Sequence, residues 1–152
     1  MGKRVLVVDD HTPTRTLIRT ILETDKAESF EVVEAATGRA CLDAMDTKGP
    51  FDVVLLDVGL PDMDGFTVCR SLRAVDARVP VVFVTARNAL KDFTHGRDVG
   101  ADSYLVKPIA RAPLRSLVTL FANMARPPGG AADMPAGAIA AGVPQPVATS
   151  KP

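Results

Sequence analysis

Four short runs of apolar, mostly β-branched residues recur along the chain, and each stops at a chemically distinctive side chain. Val5-Leu6-Val7-Val8 ends in Asp9 and Asp10, Val53-Val54-Leu55-Leu56 in Asp57, Val81-Val82-Phe83-Val84 in Thr85, and Tyr104-Leu105-Val106 in Lys107. Runs of this length read as strands buried on both faces. Helical patterns separate them, so the chain alternates strand and helix, the signature of a parallel sheet with helices on both faces. Five such βα units can be counted. Sheets of this kind keep their ligand chemistry at the carboxyl ends of the strands. One rim would therefore gather three carboxylates, a hydroxyl and an ammonium.

The remaining elements follow from period and capping. Thr12 is expected to cap the first helix with Pro13 at its first position, and Leu17, Ile18, Ile21 and Leu22 form its apolar stripe. Phe30-Glu31-Val32-Val33-Glu34-Ala35 is more polar than the other strands, as an edge strand should be. A helix spans about Arg39 to Met45. Another runs from Gly65 to Val75, capped by Asp64 and buried through Val68, Leu72 and Val75. Because Asp64 serves as cap, Asp57 has no capping duty. A fourth helix over about Ala89 to Val99 carries Thr94 and Gly96, and a glycine there costs roughly 1 kcal/mol against alanine, so it is expected to be the loosest helix. The last helix places Leu114, Leu117, Val118 and Phe121 on one face.

From residue 126 onward, 17 of 27 residues are Ala, Gly or Pro, a composition that cannot bury a core and reads as a disordered tail, 126–152. The remaining body, 1–125, reads as one domain of ordinary size without an attached output module. Lys plus Arg and Asp plus Glu balance at 18 each, and the basic residues form no stripe, so direct nucleic-acid binding is not expected. The first apolar run is too short for a signal-peptide core or a membrane span, which points to the cytoplasm. Cys41 and Cys69 form no Cys-x-x-Cys motif and read as reduced, buried small hydrophobes.

Alone, any strand-end aspartate is as well explained by a solvated loop or a cap. Together they raise an electrostatic problem: two carboxylates about 4 Å apart repel by about 4 kcal/mol at an effective dielectric of 20. A divalent cation resolves it, and an all-oxygen set with few protein ligands favours Mg²⁺. His11 lacks a second His or Cys nearby and reads as a loop residue. With a cation, a hydroxyl and a lysine beside it, the Asp57 carboxylate can act as a nucleophile toward phosphorus and form an acyl phosphate. Pro108 directly after Lys107 allows a cis peptide that would aim the lysine side chain.

Val7-Val8-Asp9-Asp10, Asp57-Val58-Gly59-Leu60-Pro61-Asp62-Met63-Asp64-Gly65, Thr85-Ala86, Gly100-Ala101-Asp102-Ser103-Tyr104 and Lys107-Pro108 occur in an order and spacing that resembles the receiver domains of two-component response regulators, over about residues 3 to 125. The resemblance implies a flavodoxin-like (βα)5 doubly wound parallel sheet with strand order 2-1-3-4-5. It implies a single-domain regulator, not an enzyme beyond its own phosphorylation and dephosphorylation, in which Asp57 accepts a phosphoryl group from a phosphohistidine on a sensor histidine kinase or phosphotransfer protein. Asp10, Asp57 and the Gly59 carbonyl would ligate Mg²⁺, with Asp9 holding a metal-bound water. Lys107 would pair with the phosphorylated carboxylate and Thr85 would bind a phosphoryl oxygen. Thr85 and Tyr104 would form the switch, changing a protein-binding face made of the fourth helix, fifth strand and fifth helix. Gly59 and Arg87 lie where the family tunes phosphoryl lifetime. The last helix lacks the paired arginines often seen when receivers dimerise, which suggests a monomer.

Two other classes share features with this reading. An aspartate-based phosphohydrolase would use the same groups but places its nucleophile on the first strand in Asp-x-Asp-x-Thr, whereas Asp9-Asp10-His11-Thr12 has different spacing. A receiver-like interaction module would keep the fold without becoming phosphorylated.

Overall fold

The computed structural model describes residues 2–24, 28–86 and 100–124. Their elements run in the order β1 (Lys3–Val8), α1 (Thr12–Glu23), β2 (Phe30–Ala35), α2 (Gly38–Thr47), β3 (Val53–Asp57), α3 (Gly65–Val75), β4 (Val81–Thr85), β5 (Ser103–Val106) and α4 (Arg111–Ala122). The strands form one parallel sheet in the order β2-β1-β3-β4-β5. The expected edge position of β2 and the expected strand order are both observed. The fourth helix expected over Ala89 to Val99 lies outside the described residues, as do Arg87 and the tail from 126.

Alternation along each strand divides the core into two layers. Val5, Val7, Val53, Leu55, Val82 and Val84 pack with α1 and α4, while Leu6, Val8, Val54, Leu56, Val81 and Phe83 pack with α2 and α3. Each α4 residue of the stripe Leu114, Leu117, Val118 and Phe121 is buried and contributes about 1.5–3 kcal/mol by leaving water. Cys41 and Cys69 are buried in the second layer, and burial pushes their thiols up to about 12 and about 11. They are packing groups, not nucleophiles.

Three local expectations are corrected. The N-cap of α1 is His11, not Thr12, and it makes no side-chain cap bond. Pro13 has no N–H to cap, the Thr14 N–H donates to the His11 carbonyl at 3.0 Å, and the Thr12 hydroxyl instead accepts from Arg15 Nη2 at 3.2 Å. Leu17 is 44% exposed because it lies roughly 90° around the helix from the centre of the Ile18-Ile21-Leu22 stripe. Val75 is 54% exposed, being the last residue of α3 and roughly 70° off its stripe. Asp64 caps α3 as expected, accepting from the Thr67 N–H at 2.8 Å.

A polar clamp fixes the entrances of β4 and β5. Arg73 donates to the carbonyls of Val79 and Gly100 and to Asp102 Oδ2 at 2.9 Å, and the same oxygen accepts from the Val81 N–H at 2.8 Å. Burial pushes the Asp102 carboxyl up, against the pull of Val81 and Arg73. Arg73→Met leaves that carboxylate with one partner and should cost about 2 kcal/mol, less than a fully buried pair because both side chains keep some solvent. A urea midpoint lowered at unchanged slope is the expected result; an unchanged midpoint would make the clamp dispensable.

Candidate functional site

Strand register levels the carboxyl ends of the four central and neighbouring strands. Val8 pairs with Leu56, so Asp9 and Asp57 come next to each other; Asp57 pairs with Val84, which puts Thr85 one residue beyond; and Thr85 pairs with Val106, ahead of Lys107. The Lys107 N–H donates to the Thr85 carbonyl at 2.8 Å, and the Lys107–Pro108 peptide is cis.

The side chains converge. Carboxylate oxygens of Asp9, Asp10 and Asp57 lie within 4.8 Å of one another. Lys107 Nζ stands 3.0 Å from Asp9 Oδ2 and 3.7 Å from Asp57 Oδ2. Asp9 is 1% exposed and Asp57 8%, whereas Asp10 is open to solvent. Asp9 Oδ1 accepts from the His11 N–H at 2.8 Å, while its buried Oδ2 has no hydrogen bond and is held by the charge of Lys107. Burial pushes the Asp57 carboxyl above its ordinary value, with Asp9 adding to the push; Lys107 and the Gly59 N–H, at 3.3 Å from Oδ1, pull it back. One ammonium thus pairs with two of the three carboxylates. A hard divalent cation fits this all-oxygen set, whose three carboxylates carry more negative charge than the one lysine offsets.

Thr85 is 4% exposed, and among the described residues its hydroxyl makes only a long 3.4 Å bond to the Ala86 carbonyl. Gly59 has open space around it. Tyr104 is half-buried on the edge strand β5, opposite Phe83, and packs against both core layers. All seven site residues expected from sequence are therefore on or beside this rim, with Tyr104 set back from it along β5.

Sequence reasoning missed the supports. Asp62 reaches from the β3–α3 loop to α2, accepting from the N–H groups of Gly38 at 2.8 Å and Arg39 at 2.9 Å, and these hold its carboxyl below the ordinary value. Gly65 N–H donates to the Val58 carbonyl at 2.7 Å, bringing α3 against the segment that carries Asp57. Arg15 grips the Asp9 carbonyl at 2.6 Å. Asp62 lies in the loop before α3, whose cap is Asp64, so nothing local in the sequence pointed to its partner Gly38, 24 residues away.

A family model described as the response regulator receiver domain matches residues 5–119. The chain is 36% identical over 133 residues to the response regulator MprA of Mycolicibacterium vanbaalenii, covering 88% of this chain and 56% of that protein. It is 43% identical over 123 residues to the transcriptional regulatory protein TcrA of Mycobacterium tuberculosis, covering 81% and 45%. The chain spans about half the length of the curated relatives it matches. A crystal structure of a receiver domain protein (CheY-like) from Methanospirillum hungatei superposes with a TM-score of 0.74 at 27% identity, covering 82% of this chain and 96% of that one. Among the described residues no helix is long and apolar enough to cross a membrane.

Proposed function

The chain belongs to the response regulator receiver domain family, and we propose that it works as one, accepting a phosphoryl group on Asp57 and signalling by a change in what it binds. The observation that carries this reading is the Asp57 carboxylate at the strand rim, with Lys107 at 3.7 Å and two further carboxylates beside it. The donor is a phosphohistidine of a sensor histidine kinase or phosphotransfer protein in the cytoplasm. An Asp57 carboxylate oxygen attacks phosphorus; the O–P bond forms as the P–N bond breaks, and the imidazole leaves with its electron pair.

Mg²⁺, held by Asp10, Asp57 and the Gly59 carbonyl with Asp9 on a bound water, would supply the positive charge that keeps Asp57 ionised and offsets the phosphoryl oxygens. Asp57 stays poised by the opposing pulls of burial and of Lys107. Lys107 sits between two carboxylates, so added negative charge on Asp57 draws its ammonium from Asp9 toward the phosphoryl group. The weakly held Thr85 hydroxyl donates to a phosphoryl oxygen. Movement of Thr85 on β4 frees space for Tyr104 on β5 to turn inward, altering the face that carries β5 and α4. A protein partner reads that face, and the receiver itself acts as a monomer without touching nucleic acid. Moving such a switch from 1% to 99% active takes about 5.5 kcal/mol of differential stabilisation.

Intact mass after incubation with acetyl phosphate and MgCl₂ tests the proposal. One phosphoryl adduct is expected, and excess chelator should prevent it. No adduct from acetyl phosphate or from a phosphohistidine donor would favour the receiver-like interaction module that binds without phosphorylation.

A further inference from the structure

Arg15 has no part in the chemistry above, yet its guanidinium is anchored to the backbone of the acidic pair. Its side chain is 14% exposed and reaches three acceptors: Nη1 donates to the Asp9 carbonyl at 2.6 Å, Nη2 to Thr12 Oγ1 at 3.2 Å and Nε to Glu34 Oε1 at 2.8 Å. We infer that Arg15 is a positioning residue for the acidic pair: by clipping both ends of the Asp9–Thr12 turn it sets the aim of the Asp9 and Asp10 carboxylates. The inference deepens the phosphoryl-acceptor reading and rests on it for its consequence, though not for its geometry.

Asp9 is where the chain leaves the sheet, its N–H still donating to the Ala35 carbonyl at 3.1 Å. The next peptide plane is free of the ladder, and its orientation is fixed by what holds the Asp9 carbonyl. Arg15 does so at the short end of hydrogen-bond distance. Asp10 is exposed and makes no side-chain hydrogen bond among the described residues, so its direction is inherited from that backbone. Glu34 orients the guanidinium, and Arg19 holds the second Glu34 oxygen at 2.7 Å from the other side. The planar fork of arginine serves carbonyl, hydroxyl and carboxylate from three separate nitrogens; a lysine ammonium carries its three donors on one nitrogen and cannot span them.

Arg15 also ties α1 to β2, and a purely structural role would be shared by Arg19, which pairs with the same Glu34 and does not touch the Asp9 turn. That difference gives the control. In the metal-free full chain, exchange of the His11 amide reports the Asp9 carboxylate, because that N–H donates to Asp9 Oδ1. Arg15→Gln should speed this exchange about tenfold and weaken MgCl₂ binding, measured by calorimetry, by at least about tenfold, the size expected when a group orienting a metal ligand is lost. Arg19→Gln should leave both within about twofold of the parent, and Arg15→Lys should fall between. His11 exchange unchanged in Arg15→Gln, or accelerated equally in Arg19→Gln, overturns the assignment. Should the parent itself take up no Mg²⁺, the cation reading falls, and the exchange comparison still decides the role of Arg15.

Discussion

Asp57→Asn is expected to lose the phosphoryl adduct completely and, in metal-free solution near neutral pH, to be more stable than the parent. The amide oxygen carries no negative charge and cannot form the acyl phosphate, so loss of labelling follows from the chemistry of the nucleophile. The gain in stability follows from the electrostatics. Burial and the neighbouring Asp9 charge raise the Asp57 carboxyl in the fold above its ordinary value of 3.8, and Lys107 and the Gly59 amide only partly restore it. A carboxyl with a raised folded value holds more protons folded than unfolded in that window, so its contribution to stability falls as pH rises through it. The parent therefore carries its full penalty at neutral pH and none at strongly acid pH. Asparagine does not titrate, so the advantage of the variant should be on the order of 1 kcal/mol, roughly 4 °C in Tm, near pH 7 and shrink on acidification. Added Mg²⁺ should narrow the gap by stabilising only the parent. Melting curves against pH, with and without MgCl₂, check this; a variant less stable than the parent at neutral pH would show that the carboxylate is net favourable in the fold.

Gly65→Ala should damage both fold and chemistry. A Cβ at this position would lie 2.5 Å from the Asp57 carbonyl oxygen and 2.7 Å from Val58 Cα, and both are backbone atoms that cannot rotate aside. The cost comes from close approach, not from a left-handed conformation. Relieving it means pulling α3 away from β3 or pushing the Asp57 backbone, and overpacking that must move backbone costs upward of about 3 kcal/mol. A shift of about 1 Å in the nucleophile can also slow reaction by about a hundredfold. Gly59→Ala, only two residues beyond Asp57, meets nothing within 4 Å and should change stability by less than about 0.5 kcal/mol. Urea unfolding, together with the rate of adduct formation at temperatures where each variant is folded, separates the two. Equal behaviour of the two variants would contradict the packing argument.

Much of the site was legible because a parallel strand advertises itself twice, through an apolar run and through the polar residue that stops it. Asp9, Asp57, Thr85 and Lys107 each end such a run, and the register then sets them side by side. The helices were read less well at their margins. Leu17 and Val75 are apolar and near the right phase, but phase resolves a helix face only to within about a quarter turn, and sheet curvature and helix ends decide the rest. The cap of α1 falls one residue before Thr12: a threonine before a proline looks like a cap in sequence, while in the fold its hydroxyl serves a guanidinium.

The supports were invisible for a different reason. Asp62 on α2, Arg73 on Asp102, and Arg15 on Glu34 each join residues whose separation in sequence says nothing about their distance in space. Sequence by itself determined the alternation of strands and helices, the two-faced burial of the central strands and the identity of the rim residues, because these depend on local period and on which side chain ends each run. Only tertiary structure decided which carboxylate Lys107 approaches more closely, that Asp9 is sealed while Asp10 stays open, and what holds their turn in place. Those outcomes depend on distances between chain segments, and Coulomb forces, desolvation and hydrogen bonds act through space with no memory of sequence separation.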